Sequence, residues 1–316
     1  MRAMPCRKPL WPALAALVCL LATGCSAIRA PDASTAPATL TDDQVIAPDA
    51  APLALTRWTA RGGERAVILA LHGFGDAALL TFTPAAEAWS AAGITTYAYD
   101  QRGFGANPSR RQWPGPAVLI DDLRATARAV RAAHPGRPLL VVGHSMGGGV
   151  ALAAAPDLAA DGVVLAAPAI AGDAGINPFL RVGAWFLNTF LPKRRFTGDG
   201  VVSFLPTDNL EVLRFVARHP LSFGDPSGEE LLGLVLLSDR AAAAAADVTL
   251  PTLTLIGARD EVIRPAAIRR VAETIGGRAE IRTYPEGWHW LFRDLQAPLV
   301  WGDVAAFALS LPRPET

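Results

Sequence analysis

Residues 140–152 read LVVGHSMGGGVAL. An apolar run enters a turn with glycine at 143, 147, 148 and 149, and a second apolar run leaves it. The first run is short, continuous and β-branched, which fits a strand buried on both faces. The second, GGVALAAA, fits a helix stopped at Pro156. A strand of that kind turning directly into a helix belongs in a parallel sheet covered by helices. One serine, Ser145, stands at the corner. It is either part of an ordinary glycine-rich loop or a hydroxyl held out as a nucleophile, and the rest of the chain has to decide.

The same alternation runs through the body of the 316 residues. LALTRW from residue 53, RAVILAL at 65–71, ITTYAY at 94–99, PLLVVG, GVVLAAP at 162–168, LPTLTLIG at 250–257 and AEIRTYP at 279–285 read as strands. Helices are expected over 84–92, 117–133, 264–275 and 297–311; the second has Leu119, Leu123, Ala127 and Val130 at helical spacing. The pattern stops between 171 and 247 and then resumes, as it does when a segment is inserted between two strands of one sheet. The expected plan is an α/β core over 53–170 and 248–311, an insertion over 171–247 and a tail over 312–316.

Ahead of the core, Arg2, Arg7 and Lys8 precede an apolar stretch, residues 10–22, that is too short for a comfortable membrane span. LATGC then places Cys25 after small residues. Residues 1–24 resemble a bacterial lipoprotein export signal, which implies lipidation of Cys25. Ser26 rather than Asp follows the cysteine, and that favours the outer over the inner membrane of a two-membrane bacterium. Residues 25–52 are rich in Ala, Pro, Thr, Ser and Asp, and a flexible tether is expected there. All three cysteines, at 6, 19 and 25, precede the core, so the core has no thiol nucleophile, disulfide or cysteine metal site. With 29 basic and 29 acidic residues the chain lacks the basic excess of a nucleic-acid binder.

A serine hydroxyl needs a general base, and the base needs a carboxylate to fix its tautomer. Gly-His-Ser-Met-Gly, with a strand before it and a helix after, fits a strained elbow whose partners follow in the order Ser, acid, His. Asp260 lies just past the strand at 250–257, with Glu261 as its rival. His289 follows the last strand. His72 belongs to a turn, His134 ends a helix before Pro-Gly, His144 flanks the serine and is expected to point elsewhere, and His219 lies in the insertion. Oxyanion donors are expected from the backbone N–H of Met146 and of Phe74 in the HGFGD loop.

LHGFGD at 71–76, YDQRGFG at 99–105, GHSMGG at 143–148, GARDEV at 257–262 and GWHWLFRDL at 287–295 together resemble the α/β-hydrolases of the monoacylglycerol lipase and lysophospholipase group, whose family label is serine aminopeptidase-like. The resemblance covers about 53–311 and implies an α/β-hydrolase fold, a cap formed by the insertion, and hydrolysis of monoacyl lipid esters without metal or organic cofactor. Asp100–Gly105 carries the group's D-x-R-G-F/H-G marker, taken here as a turn shaping the wall of the site; Asn107 and Pro108 depart from the group. Phe179, Val182, Phe186 and Phe190 share one helical face, which fits a buried cap helix as well as an acyl-chain wall or membrane-facing surface. Lys193, Arg194 and Arg195 follow it and offer either headgroup contacts or plain solubility. The expected partners are a small lipid or ester and a membrane surface reached through the anchor, with no nucleic acid and no obligate protein partner. Alternatives are a short-chain carboxylesterase, an aminopeptidase that would use Glu229 and Glu230 to hold the substrate amine, and a non-catalytic envelope binding module.

Overall fold

The computed structural model describes residues 36–172, 176–197 and 204–314. The expected export signal, Cys25 and the first part of the expected tether lie outside these residues. In chain order the strands are β1 (Thr39–Leu40), β2 (Gln44–Ile46), β3 (Pro52–Trp58), β4 (Ala66–Leu71), β5 (Ile94–Tyr99), β6 (Leu139–His144), β7 (Gly162–Ala166), β8 (Thr252–Gly257) and β9 (Ala279–Tyr284). The helices are α1 (Ala78–Ala91), α2 (Pro116–Ala133), α3 (Met146–Ala154), α4 (Pro178–Phe190), α5 (Leu210–Arg218), α6 (Gly228–Ala244), α7 (Pro265–Ala272) and α8 (Ala297–Ser310).

Among the described residues the strands form one sheet in the order β1-β2-β3-β5-β4-β6-β7-β8-β9. Pairing is antiparallel out to β3 and its partner β5, and parallel from β5 to β9. This is the α/β-hydrolase fold. Strands β4 to β8 are buried along their whole length, which is why β4, β6 and β7 are nearly unbroken apolar runs and β5 and β8 add only threonines and tyrosines to theirs. Leu123, Val130, Leu152 and Ile268 fill one face of the sheet, and Phe82, Trp89, Val304 and Phe307 fill the other.

Two expectations need correction. The tether expected over 25–52 has become part of the sheet by residue 39: β1 and β2 form an edge hairpin against β3. Ala38 N–H donates to the Ala125 carbonyl of α2, Val45 is fully buried, and the Asp49 carboxylate receives both Arg102 amino groups. The strands are only two and three residues long, too short for an alternating pattern to stand out in a Pro- and Asp-rich stretch. Helix α1 begins at Ala78, well before the expected 84, and carries Pro84 inside it. Its first amides are satisfied from outside the helix: Ala77 N–H donates to Asp76 and Ala78 N–H to Asp100. Pro84 has no N–H for the Leu80 carbonyl one turn back, and Arg293 donates to that carbonyl instead, at 3.4 Å.

Candidate active site

Ser145 joins β6 to α3 with φ +53° and ψ −117°, a conformation costing about 1–3 kcal/mol. The surrounding backbone enforces it. Ser145 N–H donates to Ala166, and the Ser145 carbonyl accepts from Gly149 and Ala169. A side chain at 143 would meet the backbone of Gly147, and one at 147 would meet the carbonyls of Leu71 and His72. The two glycines therefore let β4, β6 and α3 meet behind the hydroxyl.

His289 Nδ1–H donates to Asp260 Oδ2 at 2.8 Å, which leaves Nε2 bare to accept from Ser145 Oγ–H at 2.9 Å. The other Asp260 oxygen accepts from Val262 and Ile263 N–H, both at 2.8 Å. Glu261, the rival acid, instead accepts from Leu205 N–H. The structure thus brings Ser145, Asp260 and His289 together across three loops at the carboxyl ends of β6, β8 and β9.

Phe74 and Met146 both border the cavity above Ser145, and neither backbone N–H has a hydrogen-bond partner among the described residues. The loop bearing Phe74 is held by His72, whose Nδ1–H donates to the Gly73 carbonyl at 2.7 Å while Nε2 accepts from Gln101 N–H at 2.9 Å. Gln101 side-chain N–H returns to the His72 carbonyl. Asp100 accepts from Ala78 and Ala106 N–H, and Arg102 bridges Asp122 and Asp49. The 100–105 turn is thereby a brace for the Phe74 loop. Asn107, one of the departures, extends the brace: it donates to the carbonyls of Asp100 and Gln101 and accepts from Ala54 N–H.

Two supports were not evident from sequence. His144 does not simply point elsewhere: its Nε2–H donates to the His289 carbonyl at 2.9 Å and its ring lies 5.4 Å from that of His289. Burial, and then its neighbours His289 and Arg293, lower its pKa to about 3. Arg293, four residues past His289, ion-pairs with buried Asp76 at 2.5 Å and lies over the Trp290 ring. Although burial opposes it, the Arg293 charge holds the Asp76 carboxyl below its ordinary range. The pair fastens the loop carrying His289 to the loop carrying Phe74. His134 has a purely local role, bonded to Glu64 and the Tyr97 hydroxyl.

Ser145 and His289 open into a cavity of about 590 Å³, a typical size for a small-molecule site. Phe74, Leu213, Phe223, Leu234, Val262 and Trp290 give it apolar walls. Its roof comes from α5, α6 and the loops between β7 and β8. Asp76 is the one carboxylate lining it among the described residues, and Arg293 already engages it. Glu229 and Glu230 lie outside it: Glu229 pairs with Lys193, while Glu230 pairs with Arg195 and closes a capping box with Ser227 at the start of α6. The stripe on α4 is exposed and does not line the cavity at Ser145. Phe179 is 86% exposed, Val182 63%, Phe186 51% and Phe190 61%, with Trp185 beside them at 53%. Arg195 likewise turns inward, so the basic run after α4 is not a uniform outward patch.

The sequence pattern of the family described as serine aminopeptidase, S33, matches residues 62–296, a span that holds every residue of this site. A monoacylglycerol lipase of Mycolicibacterium smegmatis is 26% identical over 260 residues, 80% of this chain and 91% of that protein. The solved structure of a monoacylglycerol lipase from Paleococcus ferrophilus superposes with a TM-score of 0.70 at 22% identity, over 82% of this chain and 98% of that one. A soluble variant of the Saccharomyces cerevisiae monoglyceride lipase, in complex with a substrate analogue, gives 0.68 at 20% identity, over 87% and 96%.

Proposed function

The chain belongs to the serine aminopeptidase S33 family of hydrolases, and from that premise we propose that it is a serine hydrolase cleaving the carboxylic ester of monoacyl lipids, monoacylglycerols or lysophospholipids. The observation that carries this reading is a Ser–His–Asp relay opening into an apolar cavity with no carboxylate free to bind a substrate amine among its described walls. An acyl chain fits such walls and an N-terminal ammonium does not. The monoacylglycerol lipases among its relatives support the same substrate class.

In this reading Ser145 Oγ attacks the ester carbonyl while His289 Nε2 takes its proton. The Phe74 and Met146 N–H groups hold the tetrahedral oxyanion. His289 returns the proton to the leaving glycerol oxygen, and the acyl group stays on Ser145. Water, deprotonated by His289, then releases the fatty acid. Asp260 keeps the imidazole in the productive tautomer and steadies its positive charge.

The reading includes an address. A lipidated Cys25 would anchor the protein in the bacterial envelope, at the outer membrane where two membranes exist. The outward aromatic face of α4 suits contact with the lipid surface from which a monoacyl substrate is drawn. A fluorophosphonate probe tests the core of the proposal: it should label the wild type and not Ser145→Ala. Equal labelling of the two would remove Ser145 as nucleophile, and no labelling of either would favour a non-catalytic binding module.

A further inference from the structure

Phe223 sits where the segment between β7 and β8 meets the Phe74 loop. Its backbone N–H donates to the Gly75 carbonyl at 2.8 Å. Its ring stacks on Phe104 at 5.7 Å with the planes 6° apart, and both rings meet Phe74 edge-on, at 5.6 and 5.4 Å. Phe74 is thus gripped between one ring from the core and one from the cap. Gly75 adopts φ +67°, and a Cβ there would overlap the Phe223 carbonyl. The two loops are therefore in backbone contact, with no side chain between them.

The Phe223 ring is itself held. The guanidinium carbons of Arg111, Arg110 and Arg195 lie 4.6, 5.5 and 5.5 Å from its centre. Arg110 donates to the Pro220 and Ser222 carbonyls and Arg195 to the Asp225 carbonyl, which fixes the backbone on either side. Phe223 also borders the cavity, so a substrate in the cavity would touch the ring that grips Phe74.

We propose that Phe223 is a positioning residue for the oxyanion hole: the cap holds the Phe74 N–H in place, and cap and hole act as one unit. The proposal rests on the serine-hydrolase reading above. An oxyanion donor works within a narrow distance of the developing charge, and a displacement of about 1 Å can cost about a hundredfold in rate.

The test compares the full-length wild type, Phe223→Ala, Phe223→Leu, Phe223→Tyr and Ser145→Ala on a nitrophenyl acetate, whose acyl group is too short to need the cavity walls. Thermal melting of each protein is recorded alongside. The proposal predicts that Phe223→Ala lowers kcat tenfold to a hundredfold, in the range of a displaced donor, while KM changes less than about threefold. Phe223→Tyr, which keeps the ring, should recover most of kcat. Phe223→Leu keeps apolar bulk without ring edges; it should resemble Phe223→Ala and replaces it if the alanine variant does not fold. An unchanged kcat in the folded Ala or Leu variant overturns the proposal, as does a loss confined to KM, or a Tyr variant as slow as Leu. Full turnover by Ser145→Ala would overturn the hydrolase reading and this proposal together, a result distinguishable from failure at Phe223 alone.

Discussion

His144 stands next to Ser145, the proposed nucleophile, and holds the backbone of His289, the proposed base. Being buried it stays neutral, with its pKa down at about 3 against an ordinary 6.5. The unfolded chain therefore takes up a proton on this group at a pH where the native state does not. Stability is lost as pH falls from about 6.5 toward 3, by at most about 1.4 kcal/mol per pH unit from this group. His144→Gln retains an N–H for the His289 carbonyl and removes the titration. Its stability, measured by urea unfolding, should fall less steeply than the wild type's over that window; parallel slopes would contradict the account. At the relay, Asp260→Asn should leave the fold intact and lower kcat by about 10⁴-fold, since an amide can trap the imidazole in the wrong tautomer. Ser145, Asp260 and His289 were legible because the elbow fixes their order and each follows an apolar strand. The contact between His144 and His289 was not, because it spans 145 positions and depends on which way one buried ring turns.

At the level of elements, the buried strands announced themselves, because burial on two faces leaves room in β4 to β8 for apolar side chains and a few threonines but for no Asp, Glu, Lys or Arg. Elements finished by tertiary partners did not. The start of α1 depends on Asp76 and Asp100, and the β1–β2 hairpin depends on β3, α2 and Arg102. A chain beginning at residue 53 should therefore unfold at a lower urea concentration than one beginning at residue 36, because it loses buried Val45 and the Asp49 contact. Equal midpoints would show that the hairpin adds nothing. Arg102→Ala should cost more, about 3–5 kcal/mol, because it strands Asp122 as a buried, unpaired carboxylate. A loss below about 1 kcal/mol in the same unfolding experiment would mean that water reaches Asp122 freely.

Across the whole molecule, Ser145, His289 and the apolar walls face one cavity while the aromatic face of α4 turns outward. The sequence shows the stripe but cannot say which way it points, because a wide apolar face on a helix is ordinary core in most folds. The combined variant Phe179→Ser, Trp185→Ser, Phe186→Ser should leave turnover of a soluble short ester unchanged. It should lower turnover of monoacylglycerol in vesicles about tenfold or more, since each aromatic contributes about 1.5–3 kcal/mol when taken out of water. An equal effect on both substrates would mean that the face supports the fold. At this scale the proposal is that Ser145 drives hydrolysis of a single acyl chain's ester. Its most direct test is the kcat/KM of the full chain, in detergent, on long-chain monoacylglycerol, lysophosphatidylcholine, a short nitrophenyl ester and an aminoacyl amide, with Ser145→Ala beside each. The expected result is the highest kcat/KM on a long monoacyl lipid, abolished by Ser145→Ala. Turnover of the amide alone, or of no monoacyl lipid in a serine-dependent way, would contradict it.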